Sequence, residues 1–460
     1  MRRQECDILM VKRNMLSEIR QDRLKKLKKL KGAGVNPYPA NVPKRIEIAS
    51  ALKDFGKSMR SGKVTYLAGR IMSLRDQGGL LFIDVNDGSA SIQVFVNKKE
   101  VKQFSLWKET LDPGDFIGVR GVLFKTRKGE RSIRANKVDI LVKSLNPLPD
   151  SWFGLKDVEE RFRKRYLDLI LNKEVKEAFE MRSLLIRQMR EFLWKEGFVE
   201  VETPILQPIP GGALARPFKT HHNALGEDFY LRIAPELYLK RLLIGGFNKI
   251  FEIGRVFRNE GIDREHNPEF TMLELYWAYE DYEGMIKLTE KLLKPFIKGP
   301  WRRVKYADAF KQYTKMDLNK VKNKDEIDEM FKKKVRPHLK SPTVLIDQPK
   351  VTSPLSKSKI NDPELTERFH FIVESMEVAN GFSELNDAID QRERMEYQEK
   401  LFRKGNEEAS RMDEDFIEAL EYGMPPAAGL GVGIDRIVAL ATKRHSLKEA
   451  ILFPTLKTKK

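Results

Sequence analysis

The sequence predicts an α+β protein: a five-stranded β-barrel followed by a larger domain in which helices flank an antiparallel sheet. Five short β-rich segments follow one another between residues 63 and 145, and Gly, Asn and Asp separate most of them. Residues 161–460 instead mix apolar positions at helical spacing with a clear β-hairpin pattern. We therefore expect an N-terminal extension over 1–62, the barrel over 63–145, a linker over 146–160 and a second domain over 161–460.

Composition limits the class of protein and its partners. A chain of 460 residues exceeds what one hydrophobic core usually serves, and 41% hydrophobic residues suffice for packed interiors. The formal net charge of +18 attracts polyanions, of which nucleic acid is the commonest partner. The alternative interpretation of this charge is a lysine-rich surface that contacts only solvent. The single cysteine excludes an intramolecular disulfide and a thiolate-rich zinc site.

The sequence gives no sign of a membrane or export segment. No stretch approaches the roughly 18 unbroken apolar residues of a membrane span. The N-terminus, MRRQECDILM, lacks the apolar core of a signal peptide. The expected location is therefore the cytoplasm.

Residues 1–62 predict a basic helical extension. Leu16, Ile19, Leu27 and Leu30 recur at helical spacing between lysines, and Gly32 ends the pattern. Such a helix could lie along RNA phosphates or dock on a neighbouring domain, and the sequence does not choose between them.

The five β-rich segments predict a Greek-key barrel of the OB type. They are VTYLAGRIMSL, GLLFIDVND, ASIQVFVN, DFIGVRGVLFKT and RSIRANKVDILV. Barrels of this kind present one face to single-stranded nucleic acid, where aromatic rings stack on bases. The candidates for that face are Arg70, Phe82, Gln93 and Phe95, with a place in the barrel core favoured for Phe95.

Residues 250–279, IFEIGRVFRNEGIDREHNPEFTMLELYWAY, predict an antiparallel hairpin that carries ligand-binding side chains. We expect Arg258 and Glu260 to point the same way, and the return strand to divide its residues between two faces. A solvated edge hairpin is the alternative, but the mixture of arginine, glutamate and aromatic rings suits a ligand with anionic, cationic and aromatic parts. One expected face of the return strand holds Met272, Glu274, Tyr276 and Ala278, and the other holds Leu273, Leu275 and Trp277.

Three further segments carry candidate site residues. In LRIAPELYLKRLL, Glu236 begins a helix, where it either stabilises the helix dipole or captures an amine. In VESMEVANGFSELND, Asn380, Phe382 and Glu384 alternate onto one strand face, and Glu377 lies near enough to join a hard-cation site. In PPAAGLGVGIDRIVALAT, a Gly-rich strand enters a helix with Arg436 in its first turn.

Other patterns predict less. The adjacent His221 and His222 point to opposite faces of a strand, so we do not expect them to share a metal. Gly211 and Gly212 allow main chain to approach a ligand closely. An amphipathic helix from Val175 to Gly197 leads into the strand FVEVETPIL.

FRNEG followed by HNPEFTMLELY resembles the second signature motif of the class II aminoacyl-tRNA synthetases, and within them the lysyl-tRNA synthetases. The helix and strand ending at Pro204 resemble the first motif, which in the family builds a dimer interface, and the last Gly-rich segment resembles the third. FIDVND followed by IQV is similar to the family's anticodon-binding barrel. The resemblance implies activation of L-lysine by ATP with Mg²⁺, transfer to tRNA(Lys), and a homodimer.

The resemblance also implies roles for particular residues of this chain. Arg258 is the catalytic residue, Glu377 holds Mg²⁺, and His370 stands where a second acidic ligand is usual, with Glu374 a weak substitute. Arg70, Phe82 and Gln93 bind the anticodon. The implied lysine-binding set is Gly212, Glu236, Arg258, Glu274, Tyr276, Asn380, Phe382 and Glu384, and the implied ATP-binding set is Arg258, Asn259, Glu260, His266, Asn267, Phe270, Glu377, Gly433 and Arg436.

Two other functions stay open at this point. Aspartyl and asparaginyl synthetases share the barrel and the motifs, but their side-chain pocket requires cations or amide donors rather than glutamates. The second alternative is a non-catalytic RNA-binding paralogue that has kept the fold.

Overall fold

The computed structural model describes residues 2–149, 155, 157–261, 263–321 and 323–458, with only the backbone described for residues 2–13 and 324. The chain divides into two compact units, Met1–Gly154 and Leu155–Lys460. The predicted linker, 146–160, includes residues 150–154 and 156, which lie outside the described residues. Every helix in the described ranges is too short or too polar to cross a lipid bilayer.

The first unit is a closed barrel with the strand order β1-β2-β3-β5-β4, as the β-rich segments predicted. Its strands pair antiparallel except β3 with β5, which is the arrangement of an OB fold. The elements of this unit are α1 (Arg2–Gly32), α2 (Ile48–Lys53), α3 (Phe55–Ser61), β1 (Val64–Asp76), β2 (Leu80–Asn86), β3 (Ser91–Asn97), α4 (Phe104–Thr110), β4 (Phe116–Lys125) and β5 (Arg131–Val142).

Helix α1 docks on the barrel of its own unit. Leu30 is fully buried in the barrel core. The guanidinium of Arg23 donates hydrogen bonds to Ser144 Oγ at 2.6 Å and to the carbonyl oxygen of Pro113 at 2.9 Å, and Lys26 Nζ lies 2.8 Å from Asp112. Docking therefore accounts for one face of the helix, while Lys25, Lys28 and Lys31 remain exposed.

The second unit is built on an eight-stranded sheet with the order β12-β13-β14-β15-β16-β11-β10-β6. The central strands pair antiparallel, as predicted, whereas the outermost pairs at both ends are parallel. The strands of this unit are β6 (Val199–Glu200), β7 (Leu206–Gln207), β8 (Phe218–His222), β9 (Glu227–Leu231), β10 (Lys249–Phe257), β11 (Glu269–Ala278), β12 (Arg302–Lys305), β13 (Thr343–Pro349), β14 (Leu365–Val373), β15 (Met376–Ser383) and β16 (Ala427–Gly433).

Helices cover one face of this sheet and leave much of the other to the cavity described below. The largest core joins α7, α9 and α14 to the apolar face of the central strands. The helices are α5 (Val158–Arg163), α6 (Arg165–Leu171), α7 (Lys173–Lys195), α8 (Glu236–Ile244), α9 (Tyr282–Leu293), α10 (Tyr306–Thr314), α11 (Lys324–Met330), α12 (Ala388–Arg403), α13 (Glu414–Glu421), α14 (Ile434–Ala441) and α15 (Leu447–Ala450). Single turns of 3₁₀ helix span Leu318–Lys320, Arg336–His338 and Lys350–Thr352, and a π turn spans Phe331–Val335.

The predicted hairpin is formed by β10 and β11, paired antiparallel from Lys249 opposite Trp277 to Phe257 opposite Glu269. Leu273 and Leu275 are fully buried in the largest core, whereas Glu274 and Tyr276 face the cavity. Strict side-chain alternation along β11 explains the division, because one face packs on helices and the other is left for polar groups.

Candidate active site

A cavity of about 570 Å³ lies over the polar face of the sheet in the second unit. Strands β11, β14, β15 and β16 form its floor, and the start of α8 and the residues after β10 form part of its wall. Its size suits a ligand larger than a single amino acid. The predicted residues that line it are Gly212, Glu236, Arg258, Glu260, His266, Asn267, Phe270, Glu274, Tyr276, His370, Glu377, Asn380, Phe382, Glu384, Gly433 and Arg436.

Two carboxylates lie together at one end of the cavity. Glu236, the first residue of α8, is 6% exposed, and Glu384, just after β15, is 1% exposed. Both contact the same ammonium: Lys240 Nζ lies 2.6 Å from Glu236 Oε1 and 2.5 Å from Glu384 Oε2. Both oxygens of Glu384 are buried and lack a hydrogen bond among the described residues, so Oε2 is held by the ion pair with Lys240 and Oε1 has no such contact. This end of the cavity is therefore acidic and still has a free acceptor.

The charges of this group shift one another's pKa values. Burial lowers the pKa of Lys240, but the charges of Glu236 and Glu384 outweigh it, so the pKa rises and the ammonium stays protonated at pH 7. Burial raises the pKa of the Glu384 carboxyl to about 8; the charge of Lys240 opposes this rise and that of Glu236 adds to it.

Glu274 and Tyr276, on the same face of β11, form the middle of the cavity. The Tyr276 hydroxyl donates a hydrogen bond of 3.2 Å to Glu274 Oε2, and both side chains are almost fully buried. Burial and the charge of Glu236 raise the pKa of Glu274 well above its usual range. Gly212 has φ of +84°, and a Cβ there would lie 2.7 Å from the Cβ of Glu236, so only glycine fits without displacement.

Arg368, Asn380 and Phe382 form the floor beside the carboxylates. On the register of β14 and β15, Arg368 pairs with Phe382 and His370 with Asn380, which puts all four on one face. Arg368 Nε donates to Asn380 Oδ1 at 3.0 Å, and its Nη1 donates to the carbonyl oxygen of Thr352 at 2.8 Å. These bonds fix the Asn380 amide in the cavity.

The opposite end of the cavity is rich in arginine and aromatic surface. The guanidinium of Arg258 lies 5.2 Å from the centre of the Phe270 ring, and Glu260 lines the wall beside them. Arg436, in the first turn of α14, donates a hydrogen bond of 2.7 Å to the carbonyl oxygen of Glu377. Two guanidinium groups and a ring at one end can bind an anion joined to an aromatic base.

The loop between β10 and β11 supplies further polar groups. His266 Nδ1 lies 2.9 Å from Asp263. Asn267 is buried: its Nδ2 donates to the carbonyl oxygen of Glu269 at 2.6 Å and its Oδ1 accepts from the amide of Thr455 at 3.3 Å. The structure does not bring Asn259 into the cavity wall, because its side chain is exposed in the turn after Arg258.

His370 and Glu377 are the candidate metal ligands, and His370 Nδ1 lies 3.4 Å from Glu377 Oε2. Burial lowers the pKa of His370 to about 4, so its imidazole is neutral at pH 7. Burial opposes ionisation of Glu377, but the adjacent His370 ring and the charges of Arg436 and Arg368 lower its pKa. The ionised carboxylate of Glu377 fits Mg²⁺ completed by substrate phosphates, whereas the imidazole of His370 is not a ligand type that this ion prefers.

Other acidic groups do not complete this metal site. Glu374 is exposed in the turn between β14 and β15, with φ of +50°, and does not line the cavity. Within the described ranges no group of three His, Cys, Asp or Glu side chains is placed to hold a metal ion. His221 instead pairs with Asp228 at 3.0 Å on the exposed hairpin of β8 and β9.

The barrel carries a row of aromatic rings on its outer surface. The Phe82 and Phe95 ring centres are 5.4 Å apart, those of Phe95 and Phe124 are 5.8 Å apart, and the Arg134 guanidinium lies 4.9 Å from the Phe124 ring. Phe95 is half-buried rather than in the core, so the prediction that favoured the core was wrong. Its neighbours Val94 and Val96 fill the interior instead, because side chains alternate along β3.

The other two predicted anticodon residues are placed less favourably. Gln93 is 5% exposed, and its Oε1 accepts a hydrogen bond of 3.3 Å from Ser132. The guanidinium of Arg70 packs 4.2 Å from the Phe116 ring centre and donates to the carbonyl oxygen of Gly114. Arg70 pairs across the strands with Asn86, and Phe82 pairs with Arg75.

Sequence reasoning missed several residues of the cavity. Lys240 was detectable from its position one turn after Glu236 on the helix, and Arg368 from its position two residues before His370 on the strand. Tyr306, Lys332 and other residues between 299 and 345 also line the cavity, although nothing in their sequence indicated chemistry. Only the packing of that segment against β13 and β14 brings them there.

The fold and site together define a class II tRNA synthetase. The family model for class II tRNA synthetases (D, K and N) matches residues 157–457, and that for the OB-fold nucleic acid binding domain matches residues 65–141. The chain therefore belongs to the class II tRNA synthetases of the D, K and N group.

Within that group, the chain is similar over nearly its whole length to proteins named lysine–tRNA ligase. It is 47% identical to that of Pelotomaculum thermopropionicum, over 96% of this chain and 95% of the relative. It is 46% identical to that of Dehalococcoides mccartyi, over 95% and 96%, and 47% identical to that of Thermoanaerobacter pseudethanolicus, over 96% and 97%.

Proposed function

We propose that this chain is a lysine–tRNA ligase that joins L-lysine to ATP to form lysyl-adenylate and then transfers the lysyl group to the 3′ end of tRNA(Lys). The observation that carries the proposal is the pair of buried carboxylates, Glu236 and Glu384, at the end of a cavity whose other end holds Arg258 and Arg436. A buried ammonium requires carboxylate partners, and an adenylate requires cations beside its phosphates.

The acidic end would bind the lysine side chain. The ε-ammonium would lie between Glu236, Glu384 and the Tyr276 hydroxyl, with Phe382 against its methylenes. Glu274 would bind the α-ammonium, Asn380 would shape the pocket, and Gly212 would let the main chain approach. An aspartate or asparagine side chain would meet carboxylates here instead of donors, which disfavours the aspartyl and asparaginyl alternatives.

The basic end would bind ATP. Phe270 and Arg436 would sandwich the adenine, Glu260 would accept from its exocyclic amine, and His266 and Asn267 would lie near the phosphates. Gly433 would leave room for the nucleotide. Asn259 could contribute only after a change of the turn that carries it, since its side chain is exposed.

The first step needs alignment and charge neutralisation rather than a general base, because an amino-acid carboxylate is already ionised near pH 7. Arg258 would stabilise the charge that develops on the α-phosphate as pyrophosphate leaves. Glu377 would hold Mg²⁺ together with phosphate oxygens of ATP, and His370 stands where a second carboxylate would be usual. Bound there, the ion would neutralise phosphate charge.

We also propose that the barrel binds the tRNA anticodon through the row of Phe82, Phe95 and Phe124. Half-exposed rings beside a guanidinium form a stacking platform for single-stranded bases. The exposed lysines of α1 and the net charge of +18 would add attraction for phosphates. As a step of translation, this reaction would take place in the cytoplasm.

The active form would be a homodimer that uses α7 and the segment after it. This surface carries exposed apolar side chains, which are costly to leave in water. They are Met181, Leu184, Trp194, Val199, Ile205 and Leu206.

The test is ATP–pyrophosphate exchange measured separately with each of the twenty amino acids. We expect lysine alone to support exchange, and expect lysyl transfer when tRNA(Lys) is added. Exchange with aspartate or asparagine would contradict the assignment of lysine. Binding of tRNA without any exchange would instead favour the non-catalytic paralogue.

A further inference from the structure

Lys240 is a buried lysine that contacts the carboxylates at the acidic end of the cavity without lining the cavity itself. It is fully buried and contacts Glu236 and Glu384 at 2.6 and 2.5 Å, with its ammonium 5.4 Å from the centre of the Phe382 ring. Both glutamates and Phe382 line the cavity, whereas Lys240 is not part of the cavity wall. Its ammonium therefore does not occupy the space that a ligand would fill.

The charges at this end balance only with Lys240 in place. Two buried carboxylates this close cannot both stay ionised without a cation, and one of them would hold a proton. When Glu236 and Glu384 are both ionised, as they would be beside a bound ligand ammonium, the group with Lys240 carries one net negative charge, which one further monovalent cation neutralises. The groups that face Glu384 are Lys240 and Glu236 from α8, and Tyr276 from β11.

The ion pair with Lys240 distinguishes the two oxygens of Glu384, although neither oxygen makes a hydrogen bond among the described residues. Lys240 contacts Glu384 Oε2, while Oε1 points to the side where Gly429 leaves space and Tyr276 packs. Oε1 is buried and has no hydrogen-bond partner among the described residues. A buried acceptor without a donor is costly unless a ligand supplies one.

We propose that Lys240 is a positioning residue for amino-acid specificity: it holds Glu236 and Glu384 so that the cavity presents one net negative charge and one free carboxylate oxygen to a single ammonium. This inference rests on the proposed function. Lys240, although outside the cavity, would thus help the site to select a substrate side chain that carries one positive charge.

The test compares Lys240→Met and Lys240→Gln with the wild-type enzyme in lysine-dependent ATP–pyrophosphate exchange. The KM for lysine and the KM for ATP are measured separately from pH 6.5 to 9. We expect the KM for lysine to rise by about tenfold or more, and the KM for ATP to change by less than about twofold, because one charge-assisted contact that orients the carboxylates is lost. We also expect the pH at which lysine binds best to move upward.

A matched control is Lys143→Met in the barrel unit. Lys143 is equally buried and its ammonium contacts two carboxylates, Asp112 at 2.5 Å and Asp115 at 2.7 Å. Loss of this ammonium tests the general effect of removing a buried lysine. We expect it to leave the KM for lysine and its pH dependence unchanged.

The outcomes separate this inference from the proposed function. If the wild-type enzyme shows no lysine-dependent exchange, the proposed function fails and this inference fails with it. If the wild type is active but both neutral variants keep the KM for lysine within about twofold, or lose lysine and ATP affinity equally, the positioning role is wrong. If neither neutral variant folds, Lys240 serves the fold alone and the inference is likewise overturned.

Discussion

Glu384 combines full burial with an oxygen that no described protein group satisfies. The ionised form of a carboxyl in this position is stable only beside cations, and Lys240 contacts one of its two oxygens. The remaining acceptor and the Tyr276 hydroxyl are the groups expected to distinguish an ammonium from a neutral side chain.

Replacement of Glu384 by glutamine tests this role directly. Glu384→Gln keeps the shape of the side chain but removes its charge, so we expect the KM for lysine to rise at least about 30-fold, equivalent to about 2 kcal/mol. The KM for ATP should change much less. The reciprocal control is Glu377→Gln, for which we expect weaker use of ATP and Mg²⁺ with little effect on lysine; equal losses of both substrates in Glu384→Gln would contradict the assignment.

The same carboxyl predicts a pH dependence of lysine binding. Its pKa is raised to about 8 by burial, so below pH 8 the protonated form prevails and must lose its proton before it can pair with an ammonium. We therefore expect the KM for lysine to fall about fivefold between pH 7 and pH 8, as the ionised fraction rises from about 10% to about 50%. Glu384→Gln should abolish this dependence, and a wild-type KM that is flat or rises over this range would refute it.

Among the strands, β16 exposes its backbone to the cavity because three of its residues are glycines without side chains. It runs between β11 and β15 with glycines at 429, 431 and 433, and its main chain forms part of the cavity wall. A Cβ at Gly429 would overlap Glu384 Oε1 and lie 2.6 Å from Tyr276 Cε1, whereas at Gly431 the nearest atom is 3.8 Å away. The strand therefore tolerates a methyl group at one position and not at the other.

Gly429→Ala should accordingly damage lysine binding. The added methyl group must displace Glu384 or Tyr276, and we expect the KM for lysine to rise at least about tenfold, with a loss of stability of about 1–3 kcal/mol. Gly431→Ala adds the same methyl group to the same strand and should raise the KM for lysine far less. Thermal unfolding measures the stability of the two variants, and exchange kinetics measure their KM for lysine. Similar KM values in both variants would contradict the predicted clash at Gly429.

The barrel strands offer a separate test. Phe82→Ala removes a ring from the row on β2, β3 and β4, and we expect tRNA affinity to fall by about 1–3 kcal/mol, the usual contribution of one base stacked on an aromatic ring. Lysine-dependent pyrophosphate exchange should be unchanged, because it needs no tRNA. Filter binding at fixed salt concentration measures the tRNA affinity, and the exchange assay measures lysine activation. Unaltered tRNA affinity would rule out Phe82 as a stacking residue.

At the scale of the whole molecule, the exposed apolar side chains of α7 and the following segment require an explanation. Trp194 is 55% exposed and Leu184 44% exposed, although Leu185, Met189 and Leu193 of the same helix pack in the largest core. A second copy of the chain is the partner that the proposed function supplies for this surface.

Leu184→Glu should therefore separate the dimer, since a buried charge at the interface lacks a partner. We expect light scattering to give a mass of 53.4 kDa for the variant and twice that for the wild type. Ile360→Lys is the control, because Ile360 is 91% exposed outside this surface and its replacement should leave the mass unchanged. A wild type that is already monomeric would disprove the dimer.

The sequence alone predicted the main strands and helices and most of the residues that line the cavity; the roles of these residues stay predictions. Strand alternation placed Glu274 and Tyr276 opposite Leu273 and Leu275, and the start of α8 at Glu236 followed from Pro235. These are local rules of backbone geometry, so they need no knowledge of distant contacts.

Only the tertiary structure decided which charges meet. Lys240 reaches Glu384, 144 positions away, because tertiary packing brings α8 beside the residue that follows β15, and no local rule joins them. The same is true of Phe95, which alternation alone could assign to either side of the barrel, and of Lys332, which folding carries to the cavity. Periodicity fixes the face on which a side chain lies, but long-range packing decides which groups that face contacts. In this protein, long-range packing therefore determines the charge of the pocket.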